Sequence, residues 1–143
     1  MKTNIGVLFW GVGILVLLWN LFGCAIYLMD KFATDATLLA MENGEAMVAS
    51  RDFYPIWATA AFAIAVWGGL CAAIMLLMRK RLSVILYVVS LAAAIICFIP
   101  TFTMPVVKAA GGSTYWVMPV IVVVLGMFQI WWSRKMAAKN IIT

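Results

Sequence analysis

Apolar residues run through this chain in four long blocks, at about 5–29, 54–78, 82–104 and 114–132, and none of the blocks contains Asp, Glu, Lys or Arg. Each holds about 19 to 25 residues, and a helix needs about 20 to cross ~30 Å of hydrocarbon. Strands of a membrane barrel would instead alternate apolar and polar at every second position. No block alternates in that way. The pattern predicts an all-α membrane protein, a bundle of four transmembrane helices in one domain spanning residues 1–143. The first block also carries Leu21-Phe22-Gly23-Cys24, which resembles a lipoprotein processing box. Its full spanning length favours an uncleaved helix.

The polar connections are short except for one. Residues 30–53 form a 24-residue loop between the first two spans. Within it, Thr34 or Asp35 is a cap for a short helix, and Asn43-Gly44 is placed to end it. Leu38, Leu39 and Met41 give that helix an apolar side for the membrane surface or the bundle. Ala109 to Ser113 reads as a flexible turn. Basic residues set the expected orientation. Lys2, the Arg79-Lys80-Arg81 turn, Arg134, Lys135 and Lys139 fall on one side, seven in all, against Lys31, Arg51 and Lys108 on the other. The positive-inside rule then puts both termini in the cytoplasm and the 24-residue loop outside. All five acidic residues lie in that loop.

Composition narrows the class. Hydrophobic residues make up 67% of the chain and charged ones 10%, with a mean hydropathy of +1.12. A soluble domain is about half apolar and about a quarter charged, so the lipid bilayer is the partner this surface requires. Disorder needs the opposite composition. The net charge of +5 is accounted for by topology, and no nucleic-acid partner is expected. There is no histidine, and Cys24, Cys71 and Cys97 are isolated within apolar blocks. No metal site, haem, other cofactor or reactive thiol pair is expected.

Few side chains within the spans carry chemistry. Asn20 is the one strongly polar group deep in the first span, at the counted depth of Thr59 to Ala63 and Cys97. An interhelical hydrogen bond from such an amide is worth about 0.6–2 kcal/mol. Gln129 is counted near the cytoplasmic end. Trp19 and Trp67 fall near mid-span, where an indole N–H needs an acceptor. With Thr59 and Asn20 they form the candidate ligand or interhelical polar contact. Ala61, Ala65, Gly69 and Ala73, four apart, present a small-residue face for helix packing or self-association, and Gly6, Gly11, Gly13 and Gly23 are candidates to receive it. Pro100, Pro105 and Pro119 are expected to bend or end helices.

No ionisable side chain lies inside a span, which removes the usual signature of ion or proton coupling. There is no Ser–His–Asp set, phosphate-binding loop or metal-ligand cluster, and no enzyme activity is expected.

Leu18-Trp19-Asn20-x-x-Gly23-x-x-x-Tyr27, Pro55-x-Trp57, Val66-Trp67-Gly68-Gly69 and Leu76-Leu77-x-Arg79-Lys80-Arg81 resemble a family of small, uncharacterised bacterial four-helix inner-membrane proteins. Ser90-Leu91 and Trp132-Ser133-Arg134-x-Met136 are similar too. The resemblance covers most of the chain and implies a multi-pass bacterial inner-membrane protein. Some members carry the label "sugar transporter". The family pattern has Asp before the tyrosine where this chain has Ile26, with Asp30 one turn further on.

Two functions are expected from these features. The first is a structural or accessory component that packs as a homo-oligomer or with a larger membrane complex. The second is a transporter or channel for a small neutral solute, using Asn20, Trp19, Trp67 and Thr59.

Overall fold

The computed structural model describes residues 6–143, so Lys2 and Ile5 lie outside the described residues. The described chain is all-helical. Helix α1 (Val7–Phe32) leads into two loop helices, α2 (Asp35–Leu39) and α3 (Gly44–Phe53). Helix α4 (Ile56–Leu77) returns, and a tight turn gives α5 (Leu82–Cys97). Two short helices, α6 (Ile99–Thr103) and α7 (Pro105–Ala110), and a 3-10 turn at Gly112–Thr114 precede α8 (Val117–Ala138). Four segments are long and apolar enough to cross a membrane: Val7–Phe32, Ile56–Leu77, Leu82–Thr103 and Gly112–Ala138. Their exposed side chains include Ile14, Leu18, Ile64, Ile85, Ile95 and Val124. A surface of this kind suits lipid, since soluble proteins rarely expose apolar patches beyond a few hundred Å².

The helices differ from the sequence expectation at their ends. α1 runs on to Phe32 rather than Met29, and α8 to Ala138 rather than Trp132. In α8 the helix carries its basic residues with it, and Lys135 lies over the Trp131 ring at 4.7 Å. Hydropathy marks where lipid ends, and the backbone hydrogen bonds do not end there. Asn43-Gly44 also differs, for it begins a helix. Thr34 caps α2 through the Thr37 N–H, but α2 stops at Leu39. Asn43 then takes a left-handed φ of 60° and α3 starts at once. A side chain at Gly44 would strike the Leu38 carbonyl and the Leu39 backbone, so only glycine lets the two loop helices turn this closely.

α1 packs on α4, α4 on α5, and α5 on α8. At the end that holds the Arg79–Arg81 turn and the C-terminal segment, Phe9, Val16, Leu76, Trp132, Met136 and Ile142 close the bundle into one apolar cluster. The C-terminal segment is pinned there. The Thr143 N–H donates to the Arg79 carbonyl at 2.7 Å, and the Arg81 N–H donates to the Thr143 carbonyl at 3.0 Å. This places Arg81 beside the end of α8, where its guanidinium donates to Asn140 Oδ1 at 3.2 Å and to the Ala137 carbonyl at 3.5 Å.

At the opposite end the loop docks on the bundle, with α3 against α7. Arg51 fastens it. Its guanidinium donates to the Ala33 carbonyl at 2.7 Å, the Asp30 carbonyl at 3.1 Å and the Asp35 carboxylate at 3.2 Å. Two of these acceptors are carbonyls at the C-terminus of α1, where a cation also complements the helix dipole. Arg51→Ala is expected to lower stability by about 1–2 kcal/mol, seen as a lower melting temperature and faster proteolysis between residues 34 and 53. Arg51→Lys should recover little, because one ammonium cannot serve three separated oxygens as the planar fork does. Full recovery by lysine would contradict this role.

Candidate functional site

The site begins with an amide pair. Asn20 on α1 is 9% exposed and Gln129 on α8 is 6% exposed. The Asn20 amide nitrogen donates to the Val16 carbonyl at 2.8 Å and to Gln129 Oε1 at 3.1 Å. The Val16 carbonyl can only accept, which fixes the orientation of the Asn20 amide and, through it, that of Gln129. α1 and α8 are thus bridged by a polar side-chain bond at mid-bundle. Gln129 therefore lies well inside the helix, not near its end, because α8 continues past Trp132. Asn20 is also deeper than counted. It sits against Gly69 and the Ser90 hydroxyl, not at the level of Thr59 and Cys97.

Gly69 makes this possible. Its Cα faces Asn20 Oδ1 so closely that a Cβ would collide with that oxygen, and Ser90 Oγ lies 3.1 Å from the same point. Ser90 donates to the Ala65 carbonyl at 2.6 Å. Ala61, Ala65, Gly69 and Ala73 are all buried within the chain. Of the first-span glycines expected to receive that face, Gly13 approaches Leu77 and Gly23 approaches Val66, while Gly11 has open space beside it. Gly6 is the residue before α1, and a Cβ there would meet only the Leu8 backbone at 3.9 Å.

Toward the loop end, the four long helices part above the amide pair and leave a partly open cavity of about 270 Å³. Trp19, Phe22, Phe62, Ser90 and Val122 contribute to its walls, and Asn20, Gln129 and Tyr87 lie at its deep end. Tyr87 is 2% exposed and its hydroxyl takes no hydrogen bond among the described residues. Asn20 Oδ1 and Gln129 Nε2 take none either. Among the described residues, no Asp, Glu, Lys or Arg lines this cavity. A second cavity of about 530 Å³ lies at the loop end, walled by Arg51, Tyr54, Thr59, Asp30 and Tyr115 among others. Phe62, Phe98 and Met118 line both, so an apolar collar separates the deep cavity from the outer one.

The expected site residues divide accordingly. Asn20 and Trp19 line the deep cavity, whereas Thr59 belongs to the outer one. Trp67 lines neither. It is 42% exposed and meets Tyr27 edge-on at a ring separation of 6.4 Å. It stands two residues before Gly69, about 200° around the helix, on the face turned away from the bundle. Ser90 and Tyr87 had no place in the sequence-based site. Ser83, Tyr87 and Ser90 follow helical spacing on one stripe of α5, a signal the apolar count passes over. Among the described residues no group of His, Cys, Asp and Glu is placed to hold a metal.

Pro100 shapes the collar. Without its N–H the helix breaks after Cys97, and Thr101 bonds the Phe98 carbonyl at 3.1 Å. The Cys97 carbonyl accepts instead from the Tyr54 hydroxyl at 2.9 Å. Burial, with smaller contributions from Cys97 and Asp30, pushes the Tyr54 phenol from its ordinary 10.0 up to about 12. The folded state thus holds this proton more tightly than the unfolded chain. The stability it contributes is fully present below about pH 10 and is lost as pH rises through about 12. Alkaline unfolding should set in over that window, and Tyr54→Phe should shed this part of the pH dependence. An unchanged alkaline midpoint in the phenylalanine variant would remove Tyr54 as its source.

The chain matches no family model, no curated protein and no solved structure.

Proposed function

We propose that this protein is a bacterial inner-membrane carrier for a small uncharged solute, entered from the loop end, with both termini in the cytoplasm. The observation that carries this reading is the deep cavity, which ends on unpartnered polar atoms of Asn20 and Gln129 and has no charged wall among the described residues. Buried polar groups without partners are rare in folded proteins. Among the described residues those of this bundle are Ser83 Oγ, the Tyr87 hydroxyl and Trp132 Nε1, beneath the amide pair toward the terminal end. A second arrangement of the helices that opened this end would give them solute or water to bond. The excess of basic residues at the terminal end supports the orientation.

The carrier reading is favoured over an accessory role because the small-residue face that would recruit another helix is used up inside the chain. A sugar, as the label on the resembling family suggests, fits less well. A monosaccharide presents several hydroxyls, and this cavity is mainly aromatic and aliphatic.

Flux through proteoliposomes tests the reading. Radiolabelled glycerol, urea and benzamide would be compared in liposomes with and without protein. Saturable, protein-dependent flux of at least one solute is expected, and Asn20→Leu should abolish it while the protein stays folded. A stoichiometric larger partner, recovered from native membranes in mild detergent, with no flux of any solute, would establish the accessory role instead.

A further inference from the structure

The polar atoms at the deep end of the cavity specify more than an uncharged solute. Asn20 has both amide hydrogens committed, to Val16 and Gln129, and keeps only its carbonyl oxygen as a free acceptor. Gln129 has its oxygen committed and keeps its NH₂ as a free donor. The Tyr87 hydroxyl is sealed among the residues of the terminal-end cluster and is not offered to the cavity. One acceptor therefore stands beside one donor, both on residues that line the same deep end. Above them the walls are apolar and aromatic, through Trp19, Phe22, Phe62 and Phe98. Resting on the carrier reading above, we infer that the ligand has an apolar body and a single neutral head that both donates and accepts, as a primary carboxamide or an alcohol does.

The physical reasons are separate for head and body. A carboxamide head accepts from Gln129 Nε2 and donates to Asn20 Oδ1, so both free polar atoms are satisfied. A hydrocarbon without a head would leave both desolvated, which is costly in an apolar surround. A carboxylate or ammonium would find no counter-charge. For size, a cavity of ~150 Å³ takes a benzene, and proportion gives about ten heavy atoms for this one.

The test uses the full chain in lipid nanodiscs, with tritiated benzamide as the probe and empty nanodiscs as the reference. Saturable binding of benzamide is expected. Ethylbenzene, of similar size but with no head, should displace it at least about tenfold more weakly, since one satisfied buried hydrogen bond is worth about that factor. Benzoate and benzylammonium should not displace it. In the shape-matched double variant Asn20→Leu/Gln129→Met the preference should reverse in favour of ethylbenzene. Gln129→Met alone keeps the shape and removes the donor, so it should weaken benzamide several-fold without weakening ethylbenzene. This single variant decides the matter if the double variant does not fold. Equal displacement by benzamide and ethylbenzene in the unaltered protein would overturn the head-group assignment while leaving a solute-binding cavity in place. No saturable binding of either probe would overturn both the assignment and the carrier reading beneath it.

Discussion

Replacing Gly69 with valine should cost about 3 kcal/mol or more, while Gly68→Ala, one residue away, should be neutral or stabilising. At position 69 any Cβ lands on Asn20 Oδ1 and within 3.1 Å of Ser90 Oγ. Asn20 cannot swing aside freely, because its nitrogen is held by Val16 and Gln129. Overpacking of this kind costs about 1–3 kcal/mol, and displacing the amide adds the loss of buried hydrogen bonds at about 1 kcal/mol each. The better helix propensity of a larger residue returns at most about 1 kcal/mol, too little to offset this. At position 68 the nearest atom to a new Cβ is the Ser90 Cβ at 3.8 Å, an ordinary contact, so alanine keeps the propensity gain. Thermal unfolding in detergent reads both variants. Benzamide binding should fall with Gly69→Val and persist with Gly68→Ala. Equal melting temperatures for the two would show that Asn20 does not depend on the missing side chain.

The second large effect is expected at the far end of the chain. Ile142→Ala should destabilise by about 2–4 kcal/mol, the range for emptying a packed aliphatic site. Ile142 is fully buried, one residue before the last position of the sequence. It lies in the cluster with Phe9, Leu76, Trp132 and Met136 that closes the bundle beneath the amide pair. The backbone around it is held on both sides by the Arg79–Arg81 turn, and Arg81 Nε also reaches the Ile142 carbonyl at 3.4 Å. Ile141→Ala is the comparison. Its side chain is half-buried and packs only at the edge of the cluster, so its loss should be smaller. Denaturant or thermal melts of the two variants check the order, and a loss at Ile141 equal to that at Ile142 would refute the clamp.

These two sites show how unevenly the structure is legible from the sequence. Ile142 follows a polar stretch, Lys139-Asn140, and nothing local marks it as core. Its burial depends on the chain doubling back to residues about 60 positions earlier, a contact of the kind no local pattern carries. Gly69 was legible as part of a small-residue face, and that face is buried. That it faces an asparagine was not. Thr34 was legible as a cap because capping is settled within three or four residues. Asn43-Gly44 was legible as a break but not as a beginning, since its left-handed turn serves either end of a helix.

The sequence alone determined the four long apolar helices, the charge-free spans and the single sizeable loop. Each of these depends on local composition over about 20 residues, the length that lipid demands of a helix. The tertiary structure alone decided which polar groups meet. Asn20 and Gln129 are 109 residues apart, Trp67 turns out toward lipid, and Tyr87 turns in. A soluble helix announces its inner face by an apolar stripe against a polar one. In these spans both faces are apolar, so the rotation of each helix about its axis is not written in the pattern. It is fixed by side-chain packing and by the few hydrogen bonds available, and those exist only once the helices are side by side.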